Sequence, residues 1–214
     1  MAVICPTVTT LTQKDYRESI ERISDFAERI HIDFADGYFA PSKLMPIDEV
    51  WWPVGMVVDF HIMYKEPLAY IEDIIVQQPH LVIIHAESEN VGEFLDEMHS
   101  LGIKLGLALL KETPVSTIEK YLPKLDHVLV FSGDLGHYGG NVNFELLDKV
   151  IQLHELKPNI EIGWDGGIND ETAGRLVEGG VDVLNVGGFI QKNQDPESAY
   201  DTLLASINVR EKTK

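Results

Sequence analysis

Short apolar runs rich in β-branched residues alternate along this chain with longer segments whose apolar positions recur every three or four residues. The runs are AVICPTV (2–8), RIHIDFADG (29–37), VVDFHIM (57–63), LVIIHAE (81–87), IKLGLALL (103–110), HVLVFSG (127–133), IEIGWDGGI (160–168) and VDVLNVGG (181–188). Each reads as a strand, and the intervening stretches read as amphipathic helices. The helical stretches are 15–30, 67–78, 91–102, 115–122, 143–156, 170–180 and 195–207. Asn143, Asp170 and Asp195 are cap-like starts, the last followed by Pro196, while Gly102 and Gly179-Gly180 are stops. The region around Trp51-Trp52 is irregular. The strands return at intervals of roughly 25 residues, the length of one βα unit. Near-continuous apolar strands imply a sheet covered on both faces, hence parallel. Eight such units without a linker or a composition break predict an α/β protein, a single-domain (β/α)8 TIM barrel spanning residues 1–214. An open sheet of eight parallel strands is the alternative.

Polar residues interrupt this pattern at the C-terminal ends of the strands, where barrels carry their chemistry. Residues two apart in a strand share a face. In strand 2, Ile30, Ile32 and Phe34 are therefore expected to face the helices, while His31 and Asp33 face the barrel mouth. In strand 3, Phe60 and Ile62 point out and Asp59, His61 and Met63 point in. In strand 7, Ile160, Ile162 and Trp164 point out and Asp165 points in. His85, in strand 4, is inward and near the site. His31, Asp33, His61 and Asp165 thus form a candidate four-ligand site for one divalent metal, zinc foremost, with iron(II), manganese or cobalt as alternatives. Strands 1 and 8 separate strand 2 from strand 7 around the barrel, so Asp33 and Asp165 are expected to flank a substrate from two sides. Two acid/base groups on opposite faces of one carbon are what inversion requires; decarboxylation or an aldol reaction is compatible with the same pair.

Glycine clusters follow three consecutive strands: GDLGHYGGN (133–141), DGGIND (165–170) and VGGF (186–189). Bare backbone N–H groups there would hold a phosphate without lysine or arginine. That matters because 35 acidic and 17 basic residues leave a net charge of -18, a field that argues against nucleic acid and anionic membranes as partners. Any anionic substrate must therefore be held by local donors. The single cysteine, Cys5, forms no internal disulfide and reads as a small buried hydrophobe. The first residues lack a basic stretch followed by an apolar core, so no signal peptide and a cytoplasmic location are expected. Trp51-Trp52 beside Pro53 would either pack under the strand 2 loop or face a second copy, and a homo-oligomer is expected.

Taken together, the motifs resemble one family over nearly the whole chain. CPTVTT, HIDFADGYFAP, DFHIM, IHAES, GIKLGLAL, Thr113-Pro114, WDGGI and GGVDVLNVGG are similar, in the same order, to segments of the ribulose-phosphate 3-epimerases. The resemblance implies interconversion of D-ribulose 5-phosphate and D-xylulose 5-phosphate in the pentose phosphate pathway. It assigns the metal to His31, Asp33, His61 and Asp165, and the two acid/base roles to Asp33 and Asp165. It further implies that Thr7, His61 and Met63 line the substrate, and that Gly136, Gly139, Gly140, Gly166, Gly167, Gly187 and Gly188 lie in the phosphate-binding loops.

The chain departs from the family pattern around the substrate. Ala35 replaces a methionine, Leu135 replaces a proline in a strand 6 loop one residue longer than usual, Gly188 stands where a serine is usual, and LKET (110–113) replaces an asparagine-proline segment. These changes keep two other expectations open: an epimerase of another ketose phosphate such as allulose 6-phosphate, and a non-catalytic barrel that binds a sugar phosphate. Related barrels that decarboxylate carry a lysine in strand 3, which DFHIM lacks.

Overall fold

The computed structural model describes residues 2–137 and 139–211. Eight strands run as β1 (Val3–Val8), β2 (Arg29–Ala35), β3 (Val57–Met63), β4 (Leu81–His85), β5 (Lys104–Leu109), β6 (His127–Phe131), β7 (Glu161–Asp165) and β8 (Val183–Val186). Each pairs in parallel with its neighbours in sequence, and β8 pairs with β1, from Val3 opposite Val183 to Pro6 opposite Val186. That last pairing closes the barrel and removes the open-sheet alternative. Around it lie α1 (Gln13–Ile23), α2 (Ile71–Gln77), α3 (Val91–Ser100), α4 (Leu147–Leu156), α5 (Ala173–Glu178), α6 (Gly188–Gln191) and α7 (Pro196–Glu211). Among the described residues no helix is long and apolar enough to cross a membrane.

The alternation of the strands creates two apolar layers. Ile30, Ile32, Phe34, Phe60, Ile62, Ile162 and Trp164 are buried between barrel and helices. Inside the barrel, Leu81, Ile83, Ala108 and Leu129 form a smaller plug. Asn143 and Asp195 cap as expected, accepting from the N–H groups of Glu145 and Ser198. Asp170 does not: the Asn169 side chain takes the N–H groups of Glu171 and Thr172 instead.

One connection differs from its expected helix, and the irregular region around Trp51-Trp52 is irregular in the fold as well. Residues 115–122 form 3-10 turns, Val115–Thr117 and Glu119–Lys124, because Pro114 and Pro123 bracket too short a stretch for an α-helix. Between β2 and β3 there is only the 3-10 turn Ile47–Glu49, in a segment interrupted by Pro41, Pro46 and Pro53. Trp52 packs edge-on against Phe60, and the Trp51 carbonyl accepts from the Tyr16 hydroxyl at 2.6 Å.

The N-terminal end of the barrel is closed by charge. Arg29 donates from Nε to Asp59 (2.7 Å) and through both terminal nitrogens to Glu161 (2.9 Å each), and His127 Nδ1 meets the same Glu161 at 2.7 Å. His127 begins β6 and is buried. Gly163 makes room for it: a Cβ there would lie 2.5 Å from His127 Nε2. Cys5 lies buried nearby, its thiol pushed up by burial and then by the Asp59 charge.

Candidate active site

The inward faces of β2, β3 and β7 converge at the C-terminal end of the barrel. Asp33 stands opposite His61 in the β2–β3 register, which sets their side chains side by side. His61 Nδ1 lies 2.8 Å from Asp33 Oδ1. His31 Nε2 lies 3.3 Å from the same oxygen and 3.8 Å from Asp165 Oδ2. One ligand atom from each of these four residues falls within 4.8 Å of the others. A tetrahedral ion with bonds of about 2.0–2.2 Å spaces its ligand atoms about 3.4 Å apart, so the donor set fits a metal. The buried His31 fits one too, since neither of its ring nitrogens is hydrogen-bonded. Thr9 donates to Asp33 Oδ2 at 2.5 Å, fixing the carboxylate that faces both imidazoles.

Burial and charge drive the two carboxylates apart. Burial by itself would raise Asp33, but contacts to His31 and His61 outweigh it and hold this acid well below the usual carboxylate range. Asp165 has no such pair of contacts; burial, then the Asp33 charge, pushes it up to about 7. Asp33 is therefore the acid held ionised, and Asp165 the one that resists ionisation. Burial dominates at His61 and pulls it down to about 4. At His31 the carboxylates of Asp33 and Asp165 overcome burial and raise it. The pair of acids thus favours positive charge at the spot His31 faces.

Behind the cluster a second row of polar groups continues. His61 Nε2 lies 2.9 Å from His85 Nε2, and His85 Nδ1 lies 3.4 Å from Glu87. Glu87 accepts from the Leu110 N–H and from the Thr113 hydroxyl. Those residues are in turn tethered by Lys149 of α4, whose ammonium donates to the carbonyls of Leu110, Lys111 and Thr113 at 2.6, 2.9 and 2.7 Å.

Above Asp33 and Asp165 opens a cavity of about 310 Å³, within the usual size of small-molecule sites. Thr7 and Thr9 line its floor, and Gly139, Gly140, Gly166, Gly167, Gly187 and Gly188 line one wall. Three of the residues expected along the substrate, and the metal-site residue His31, lie off that lining. His61 stands behind Asp33; Met63 packs with Ala35, Ala40 and Leu44; and Gly136 sits over Ala40 and Ser42. Other residues enter the cavity that the sequence reading passed over: Thr9, His137, Asn185 and Lys192. His137 also reaches across the mouth to Ser42, at 3.1 Å. The signal for Asn185 was present, since it is a polar residue at an inward position of an otherwise apolar strand.

The wall depends on backbone close approach. Gly166 has φ +106°, and a Cβ there would lie 2.1 Å from the Gly133 nitrogen. Gly166→Ala should accordingly lower folding stability by about 3 kcal/mol through strain and overpacking. A thermal melt checks this; a melting temperature equal to that of the wild type contradicts it.

Comparison with known proteins agrees with this geometry. The model of the ribulose-phosphate 3 epimerase family matches residues 3–190. A ribulose-phosphate 3-epimerase from Bacillus subtilis is 30% identical over 189 residues, covering 84% of this chain and 87% of its own. One from Helicobacter pylori is 29% identical over 209 residues, covering 94% and 95%. Among solved structures, 3-keto-L-gulonate-6-phosphate decarboxylase from Vibrio cholerae superposes with a TM-score of 0.72 at 12% identity, covering 97% of both chains. The 3-hexulose-6-phosphate synthase of Salmonella typhimurium gives 0.69 at 13% identity, over 95% of this chain and 97% of that one. At such identities these two report the barrel alone. With the family matched over most of its length, the chain belongs to the ribulose-phosphate 3-epimerase family and is an epimerase.

Proposed function

We propose that this epimerase interconverts D-ribulose 5-phosphate and D-xylulose 5-phosphate by proton transfer at C3 between Asp33 and Asp165. The observation that carries the reading is a pair of carboxylates, Asp33 and Asp165, lining one cavity beside the buried imidazoles of His31 and His61. Ionised Asp33 takes the C3 proton as the C–H electrons move through C2 onto the carbonyl oxygen, forming an enediolate. Protonated Asp165 returns a proton to C3 from the other face, and the carbonyl reforms. In the reverse direction the two residues exchange roles. Thr9 holds the Asp33 carboxylate in line. The phosphate lies against the backbone N–H groups of the glycine wall, with Lys192 at its edge adding positive charge to a strongly acidic protein. His31, Asp33, His61 and Asp165 would hold one divalent ion, zinc or else iron(II), manganese or cobalt, which supplies Lewis-acid stabilisation of the enediolate oxygens when bound.

A second ketose phosphate, such as allulose 6-phosphate, is the other reading, favoured by His137 entering the cavity from the lengthened strand 6 loop. The experiment is epimerisation of D-ribulose 5-phosphate before and after chelation, with each of the four metals restored in turn. Turnover that disappears with the metal and returns with it is the expected result. No turnover with one ion still bound per chain moves the substrate to another ketose phosphate. Neither turnover nor metal leaves a non-catalytic barrel that binds sugar phosphates.

A further inference from the structure

Asn185 is a buried amide with nothing to bind. It is 2% exposed, it lines the cavity, and neither Oδ1 nor Nδ2 has a hydrogen-bond partner. Buried side-chain amides are almost always satisfied, because water competes for these groups in the unfolded chain. A valine at this position would suit the apolar strand VLNV better and would leave no polar atom unfilled. An amide kept there at a cost to folding indicates a partner that arrives with the ligand.

The surroundings say which part of the ligand. In the β7–β8 register Asn185 stands opposite Asp165, the acid assigned to the reacting carbon, and two and three residues further on are Gly187 and Gly188 of the phosphate wall. On the other side it stands opposite Cys5 of β1, whose buried thiol offers at best a weak contact. The amide therefore faces the stretch of substrate between reacting carbon and phosphate. In a ketose phosphate that stretch is uncharged and hydroxylated. A hydroxyl both donates and accepts, as does an amide, so one such group satisfies Oδ1 and Nδ2 together with a neighbouring oxygen. A charged group is the poorer match, because the adjacent acids already occupy that role.

We infer that Asn185 is a specificity-determining residue, which reads a hydroxyl of the substrate chain between the carbon served by Asp165 and the phosphate. This rests on the ketose-phosphate reading above. A site that hydrogen-bonds a hydroxyl rejects analogues lacking it, because the amide is then left unpaired.

The test is Asn185→Val, followed by two readouts. Without ligand, the variant should melt at a higher temperature than the wild type. With D-ribulose 5-phosphate, its kcat/KM should fall about tenfold to hundredfold, with most of the loss in KM, while inhibition by inorganic phosphate stays the same. A residue that only fills space would not move stability and substrate affinity in opposite directions. Should Asn185→Val fail to fold, Asn185→Ala is expected to show the same loss in KM. A folded variant whose kcat/KM stays within about twofold of the wild type overturns the inference, as does one that loses stability without ligand, which would point to a trapped water as the partner. If the wild type does not turn over D-ribulose 5-phosphate, the reaction reading falls by itself. Calorimetric binding of that compound and of allulose 6-phosphate to wild type and variant then decides the role of Asn185. Equal affinities overturn it, and so does a wild type that binds neither.

Discussion

Asp165→Asn should abolish epimerisation and at the same time stabilise the metal-free protein at pH 8. The first effect follows from removing one of two proton-transfer groups, worth about a thousandfold in kcat. The second follows from the cost of ionising Asp165 inside the barrel. In the unfolded chain this carboxyl ionises near 3.8, whereas burial and the neighbouring Asp33 push it up to about 7 in the fold. Between those two values the folded state binds more protons, so stability falls as pH rises. The penalty is absent below pH 3.8 and complete above pH 7, and amounts to something on the order of 2–4 kcal/mol. Asparagine carries no such penalty. Denaturant unfolding of the metal-free wild type and variant should show a gain at pH 8 that shrinks steadily towards pH 4. A variant no more stable than the wild type at pH 8 would contradict the assigned electrostatics, and one that keeps its turnover would contradict the assigned chemistry.

Arg29→Met should have the largest effect on folding and little on catalysis. Arg29 is the only cation that Asp59 touches among the described interactions; Asp59 is 1% exposed, and its Oδ1 already lacks a partner. Removing the guanidinium leaves a buried, unpaired carboxylate, which typically costs about 3–5 kcal/mol. Glu161 adds less to that sum, because it is partly exposed and keeps His127. Adding Asp59→Asn to the same chain should recover roughly half of the loss, as the uncompensated charge disappears. The four groups lie at the end of the barrel away from Asp33 and Asp165, so kcat of the folded fraction should match the wild type. Urea unfolding of the single and double variants tests this; a single variant within about 1 kcal/mol of the wild type would show that the carboxylates find water.

How far the sequence carried this picture depended on whether one strand or two were needed. His31, Asp33, His61 and Asp165 could be read from single strands, because alternation alone says which way each side chain points. Asn185 obeys the same rule but carries no charge, and in the sequence nothing sets it apart from a strand residue with satisfied partners; its unpaired atoms are visible only in the fold. Met63 and Gly136 matched a motif, yet a motif preserves position and not direction. Both face the packed loop after β2, and the cavity lies elsewhere. His127 required two strands at once, since its ring occupies the space left by the absent side chain of Gly163 on the neighbouring strand. The expected helix at 115–122 failed for a local reason that was visible, the two prolines at its ends. Lys192 and His137 reach the cavity through folding of loops whose sequence has no period to read.

Lys149 gives the barrel mouth two mechanically different halves. Through three carbonyls it clamps the end of β5, which clamps Glu87, which backs His85 and then His61. On that side, movement of one rim loop is passed directly to a ligand of the candidate metal site. On the β6–β8 side the rim is largely glycine backbone, held by the Ser132 hydroxyl between Asn141 and Asn143 and by the His137–Ser42 contact. Loop exchanges meant to give this scaffold a new substrate therefore belong on the glycine side, where the abutment opposite stays rigid whatever is grafted.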